Sequence, residues 1–260
     1  MTVNSSLNDL YDYVPLKIYQ NDKYFKFSLD SVLLAEYVKS SSLKKSILEL
    51  CAGNCAISMI LTTRTNSKIT AVEVQDEIFS LGEKSIKYNK LDSQINFIKS
   101  DIKKIENYFP GNKFDVIICN PPYFKKDETS YVNDEKIKAI ARHEVLVSLR
   151  DIIKISSKIL NLGGELYMVH RAERIDEIIK FCFEYNINVK NIQFVSTKKG
   201  KEPRLVLIRA VRGSSEGVKI APEMNIENLD SFKNIFWKEW YHEGNCWFGK
   251  PRKRIWINKT

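Results

Sequence analysis

Apolar positions along this chain follow two different spacings that alternate with each other. Short continuous apolar runs occur at 47–50, 69–74, 95–99, 114–119, 165–170, 189–195 and 205–211. Between them, at 56–64, 77–89, 148–160 and 172–184, apolar side chains return every three or four positions. The first spacing predicts buried strands and the second amphipathic helices. Turn residues separate the units: Gly53-Asn54 after the first run, and Asn161 with Gly163-Gly164 ahead of the fifth. Strands alternating with helices predict a Rossmann-like, doubly wound α/β sheet of seven mostly parallel strands. The last two runs have no helix between them and predict an antiparallel hairpin at the C-terminal edge.

Ahead of this pattern, 16–20 and 24–28 alternate around Asn21-Asp22 and predict a hairpin. Asp30 then opens a helical pattern with Val32, Leu33, Leu34 and Tyr37 on one side. Beyond Gly213 the regularity stops, and 214–217 reads as a linker. Three parts follow: an N-terminal hairpin and helix over 1–45, the sheet domain over 46–213, and a C-terminal tail over 214–260.

The fourth run leads directly into Asn120-Pro121-Pro122-Tyr123. Asn-Pro-Pro alone is a common loop breaker, but here it follows a fully apolar strand. That position suits methyl transfer to a planar amino nitrogen, whose delocalised lone pair makes it a poor nucleophile. An Asn oxygen and the carbonyl of Pro121 can accept the two N–H bonds and aim the lone pair. The prolines hold the backbone extended, and the Tyr123 ring offers a face for a flat substrate.

In a doubly wound sheet, ligands sit at the carboxyl ends of the strands. Glu49 lies near the end of the first strand, followed by the turn Ala52-Gly53-Asn54. Gly53 permits close backbone approach. Glu73 ends the second strand, where an acid holds ribose hydroxyls. Asp101 follows the third strand and suits an adenine amine, with Val74 or Ile102 packing on the ring. Each acid alone would read as a loop carboxylate, but three at successive strand ends form a pattern. No Gly-rich phosphate cradle is present, so S-adenosylmethionine fits better than a dinucleotide.

Composition narrows the setting. Of the residues, 43% are hydrophobic and 28% charged, as in globular domains. No apolar run approaches a membrane span and residues 1–9 lack a signal-peptide core, so a cytoplasmic protein without membrane contact is expected. The five cysteines are scattered and suit buried thiols. The three histidines show no zinc-ligand spacing, so no metal is expected. Nothing suggests a dimer seam, and a monomer is the default. Forty-one basic against thirty-two acidic residues give a net charge of +9. The tail concentrates Lys250, Arg252, Lys253 and Arg254 around Trp256, a mixture suited to phosphate contact and base stacking. A solvated extension is the other reading.

Taken together, these residues resemble the class I S-adenosylmethionine-dependent methyltransferases with an Asn-Pro-Pro-Tyr motif. More narrowly, the chain is similar to the bacterial enzymes that methylate the adenine immediately 3′ of the anticodon in valine tRNA. The resemblance spans about residues 15–213 and rests on residues 27–34, the loop 52–55, Glu73, Asp101, Asn120–Tyr123, Gly163-Gly164 with 167–171, and 198–203. It implies tRNA as partner, with the target adenine flipped into the pocket and stacked by Tyr123 and Phe124. It also implies donor contact by Asp30, for which a helix cap is the alternative. RNA contact is implied by Lys198, Lys199, Lys201 and Arg204, which also suit a solvated hairpin tip. Such enzymes carry Gly where this chain has Cys55, and often where it has Cys51, so a side chain at Cys55 is expected to crowd the donor. Three alternatives stay open. One is a release-factor glutamine methyltransferase, disfavoured because only about 45 residues precede the first strand. The others are an rRNA guanine methyltransferase and a non-catalytic RNA-binding relative.

Overall fold

Strand β1 (Ser6–Tyr11) and strand β2 (Val14–Gln20) pair antiparallel as a separate two-stranded sheet. The computed structural model describes residues 5–11, 14–21, 29–110, 114–123 and 147–226. The expected hairpin around Asn21-Asp22 is therefore corrected in part. Residues 16–20 do form a strand, but their partner is Ser6–Tyr11, and 24–28 lie outside the described residues. Leu10 and Ile18 face the core. The free edge of β2 is met by a helix rather than a strand. Asn89 accepts from the Lys17 N–H at 3.0 Å and donates to its carbonyl at 2.7 Å, while Ser85 accepts from the Tyr19 N–H at 2.9 Å. Backbone groups that would otherwise be orphaned are so satisfied.

The main fold follows the expected alternation. In chain order come α1 (Leu29–Tyr37), β3 (Ile47–Leu50), α2 (Ala56–Thr62), β4 (Ile69–Glu73), α3 (Asp76–Tyr88), β5 (Ile95–Lys99), α4 (Ile105–Tyr108) and β6 (Phe114–Cys119). After the gap come α5 (Leu149–Ile159), β7 (Leu160–Arg171), α6 (Ile175–Glu184), β8 (Ile187–Ser196) and β9 (Leu205–Arg212). Two short strands, β10 (Lys219–Ile220) and β11 (Met224–Asn225), add in parallel to β8. Tail residues just beyond the linker thus cover the outer edge of the sheet.

The strand order is β5-β4-β3-β6-β7-β9-β8, parallel except for β9 against β7 and β8. β3 and β6 are adjacent, and the order reverses between them, so the loops leaving their carboxyl ends diverge and open a cleft. Every residue of β3 is buried, which explains why it is apolar except at Glu49. One core layer joins α1, α2 and β2 to one face of the sheet, and a second packs α5 and α6 on the other. Helix α5 starts with a capping box in which Ser148 and Asp151 exchange side-chain and backbone hydrogen bonds.

The N-terminal helix is tied down at its far end. Arg64 donates to the Ala35 and Val38 carbonyls, the latter at 2.8 Å, closing the C-terminus of α1. Just after α1, Ser42 donates to Glu165 of β7, which also accepts from Tyr167 at 3.0 Å and from Arg209 at 2.9 Å. Burial raises the Glu165 carboxyl, but the Arg209 and Ser42 hydrogen bonds outweigh it and leave its pKa below the ordinary value.

Candidate active site

The cleft at the switch point is lined by the loops after β3, β4, β5 and β6 and by the first turn of α1. Its walls bring together Glu49, Ala52, Gly53, Asn54, Glu73, Val74, Asp101, Ile102 and Asn120–Tyr123, which the sequence had marked separately. Ser31, Cys51, Gln75, Ile78 and Val147 also line it. Asp30 is not on that wall. It sits in the first turn of α1, and its carboxylate faces the Tyr123 hydroxyl.

The loop after β3 turns through left-handed residues at alternate positions, Cys51 at φ 56°, Gly53 at φ 57° and Cys55 at φ 67°. Only glycine adopts that region freely. A Cβ at Gly53 would meet nothing within 4 Å, so the cleft is open over its backbone. Its N–H donates to Glu73 at 2.8 Å. The other oxygen of Glu73 accepts from the Val74 and Gln75 N–H groups at 3.0 and 2.9 Å. Glu73 therefore latches two loops together and retains lone pairs for a diol.

The structure corrects the expectation about the cysteines. Cys55 is fully buried beside Ser58 and Glu49 and does not line the cleft, whereas Cys51 does. The left-handed turn swings successive side chains to opposite sides, so the residue that narrows the cleft is Cys51.

Glu49 forms the floor at 1% exposure. It accepts from the Ser58 N–H at 2.9 Å and from the Ser58 hydroxyl, at the start of α2. Burial pushes its carboxyl up to about 8, against the opposing pull of both Ser58 bonds and with a further push from Glu73. Asp101 caps the single helical turn of residues 102–104 by accepting from the Lys103 N–H at 2.9 Å.

At the mouth, the Asn120 side chain is held from both sides. Its Nδ2 donates to Ser31 Oγ at 3.1 Å, and its Oδ1 accepts from the Tyr123 hydroxyl at 2.6 Å. The Tyr123 ring rests on His170, with centroids 5.2 Å apart at 57°. Burial and the Asp30 carboxylate raise the Tyr123 pKa well above its ordinary value, so it stays a neutral donor. Burial likewise lowers His170 to about 3, and its Nδ1 accepts from the Arg171 N–H at 2.8 Å. Ser31 and Ser58 escaped the sequence reading, because nothing local to either marks its distant partner.

Lys198, Lys199, Lys201 and Arg204 are exposed in the connection from β8 to β9. The Arg204 carbonyl accepts from the Ala172 N–H at 3.0 Å, which sets this loop beside the carboxyl end of β7, on the same edge as Asn120. Phe124 and the tail residues Lys250, Arg252, Lys253, Arg254 and Trp256 lie outside the described residues, as do Arg142 and His143. Among the described residues no group of His, Cys, Asp or Glu could hold a metal ion, and no helix is long and apolar enough to cross a membrane.

The cleft offers a carboxylate floor for a cation, a latched Glu73 for a diol, and apolar Val74, Ile78 and Ile102 for a flat ring. Those are the demands of a sulfonium nucleoside. Known proteins were compared with this chain. A "tRNA1(Val) (adenine(37)-N6)-methyltransferase" of Shewanella woodyi is 27% identical over 179 residues, covering 68% of this chain and 72% of that protein. One of the same description from Histophilus somni is 26% identical over 223 residues, covering 84% and 91%. Among solved structures, a predicted O-methyltransferase from Agrobacterium tumefaciens superposes with a TM-score of 0.61 at 21% identity, covering 76% of this chain and 88% of that one; this likeness bears on the fold. The family model "Methyltransferase small domain" matches residues 26–195, well over half of the chain, from ahead of α1 to the end of β8. That span contains Ser31, the three strand-end carboxylates and the Asn120 motif, and by it the chain is a methyltransferase and belongs to the methyltransferase small domain family.

Proposed function

We propose that this methyltransferase moves a methyl group from S-adenosylmethionine to the exocyclic 6-amino group of an adenine in tRNA, the adenine next to the anticodon of valine tRNA. The observation that carries the reading is the Asn120 carboxamide, held at the cleft mouth with its oxygen beside Tyr123. The names of the relatives from Shewanella woodyi and Histophilus somni support the choice of substrate.

S-adenosylmethionine supplies an electrophilic methyl group on a sulfonium sulfur. Glu73 would hold the ribose hydroxyls, Asp101 the adenine amine, Glu49 the ammonium, and Val74 and Ile102 the faces of the ring. Ala52, Gly53 and Asn54 form the backbone wall, with Asp30 behind Tyr123. The target adenine leaves its stack and lies on the face of Tyr123 not taken by His170. Asn120 Oδ1 and the Pro121 carbonyl accept its two N–H bonds, while Pro121 and Pro122 hold the backbone extended. Tyr123 yields part of its hold on Asn120 Oδ1, which has two lone pairs and can serve both donors. These contacts supply alignment for an in-line displacement. No strong base is required, because the proton leaves after the methyl arrives.

Lys198, Lys199, Lys201 and Arg204 on the rim, with Phe124 and the tail residues Lys250, Arg252, Lys253, Arg254 and Trp256, are proposed to hold the RNA through phosphate contact and stacking. The proposed division of labour is an N-terminal extension over 1–45, a catalytic domain over 46–213 and an RNA-binding tail over 214–260.

The test is transfer of labelled methyl to unmodified tRNA, DNA and release factor, followed by nucleoside analysis. Methyladenosine in tRNA alone supports the reading, and label in protein glutamine or guanine overturns it. Asn120→Ala should lower turnover sharply with donor affinity almost unchanged. Equal loss of both would remove Asn120 from its assigned place.

A further inference from the structure

A serine in the first turn of a helix usually bonds its own helix or faces water. Ser31 does neither. It is 6% exposed, lines the cleft, and its Oγ accepts from Asn120 Nδ2 at 3.1 Å across 89 residues of sequence. We infer that Ser31 is a positioning residue for methyl transfer, holding the Asn120 carboxamide in the plane and place at which its oxygen meets the substrate amine. This rests on the reading of Asn120 as the acceptor of the substrate N–H.

Three observations converge. First, among the described residues the carboxamide has two side-chain partners, Ser31 on nitrogen and the Tyr123 hydroxyl on oxygen. Tyr123 must share Oδ1 with the incoming amine, so Ser31 is the contact that the reaction leaves unchanged. Second, Ser31 is itself immobilised. Its helix is closed at the C-terminus by Arg64 and followed at once by Ser42, which is bonded to Glu165 in the core. A hydroxyl on such a helix is a fixed point, whereas Asn120 follows a strand and precedes two prolines in a loop. Third, by taking an N–H of Nδ2, Ser31 fixes Oδ1 as the end of the carboxamide that faces Tyr123 and the substrate amine. A misplacement of about 1 Å at the reacting groups is enough for a hundredfold loss of rate. The N-terminal extension thus enters the reaction through one hydroxyl.

Ser31→Ala is expected to lower kcat at least ~10-fold with donor affinity within about twofold of the parent, and Ser31→Thr, which keeps the hydroxyl, to restore most of it. In an Asn120→Ala background, Ser31→Ala should have no further effect. A bystander that merely supports the fold would cost the same in both backgrounds, and that result overturns the inference. So does a loss of donor affinity as large as the loss in kcat, which would assign Ser31 to the donor. A second readout does not depend on the substrate. The Asn120 side-chain NH2 signals of asparagine-labelled protein should shift and broaden in Ser31→Ala, and unchanged signals overturn the inference. Should the parent transfer nothing to tRNA, the assigned substrate fails while the NH2 signals still decide whether Ser31 holds Asn120.

Discussion

Glu49, proposed to hold the donor's ammonium, would couple stability, donor binding and pH through one buried carboxyl. In the empty cleft burial pushes it up to about 8, whereas in an unfolded chain it titrates near the ordinary value of about 4.3. Between those limits the folded protein holds a proton that the unfolded chain has released, so stability from this group is complete at low pH and falls as pH rises toward 8. The slope is about 1.4 kcal/mol per pH unit. From pH 5.5 to 7.5 the loss is therefore roughly 3 kcal/mol, a large share of the stability of a small domain. Glu49→Gln keeps the shape and an oxygen for the Ser58 N–H but has no proton to lose. Urea denaturation of both proteins across this range should show the parent falling behind Glu49→Gln by that amount. Parallel curves would mean that Glu49 is already ionised and that burial is compensated elsewhere.

The same proton reports on the donor. A ligand ammonium seated against Glu49 requires the carboxylate, so binding must expel the proton. Calorimetry in buffers of different ionisation enthalpy should find close to one proton released at pH 6.5, and affinity should rise with pH up to about 7.5. Glu49→Gln should bind weakly and release none. Proton-free binding by the parent would place the ammonium elsewhere in the cleft.

Three further outcomes are expected. His170 is held neutral at about 3 by burial, so below pH 6.5 the unfolded chain takes up a proton that the fold refuses. Its contribution to stability then falls by about 1.4 kcal/mol per unit of acidification, a slope that the opposite one of Glu49 cancels in the parent down to about pH 4.3. It should therefore appear in acid denaturation of Glu49→Gln and vanish when His170→Asn is added to that chain. Cys51→Gly removes a left-handed penalty of about 1 kcal/mol and clears the cleft wall at the cost of a half-buried thiol. Calorimetry should show tighter donor binding with little change in melting temperature, and weaker binding would refute crowding by Cys51. Arg209→Met strands the Glu165 carboxylate in the core, and a loss of about 3–5 kcal/mol should appear in urea denaturation, largely reversed by Glu165→Gln in the same chain.

What the sequence displays and what it conceals have physical reasons. The runs at 47–50, 95–99 and 114–119 match β3, β5 and β6 to the residue. β3 and β6 are central parallel strands covered on both faces and so mostly apolar, whereas β5 is an edge strand marked by its Ile and Phe residues among exposed positions. β1 went unread because its register shifts between Asp9 and Tyr11, which breaks the period of two. β7 starts at Leu160, ahead of the glycines that had suggested a boundary, because 161–164 form a bulge opposite β6 rather than a turn. β10 and β11 are two residues each, too short to carry a period. The three carboxylates and Asn120 were legible because strand ends converge by topology. Ser31, Ser58 and the facing of Cys51 were not, since each depends on packing between segments or on a left-handed turn.

The charge of the cleft opposes that of its surroundings, and this has consequences for the proposed reaction. The chain carries +9 overall, and Lys198, Lys199, Lys201 and Arg204 lie exposed along the edge that holds Asn120. The cleft behind Asn120 is lined instead by the acidic side chains Glu73 and Asp101, joined by Glu49 once a donor ammonium has displaced its proton. In the proposed complex a phosphate is attracted to the rim but repelled by that interior. A neutral base suffers no such repulsion. In the proposed reaction the backbone of the RNA would therefore be held at the rim while its base alone goes in, and the cation that the interior would favour is the sulfonium donor. Once the methyl has left, the sulfur is uncharged and that attraction weakens, so the carboxylates proposed to bind the donor would also favour release of what remains of it.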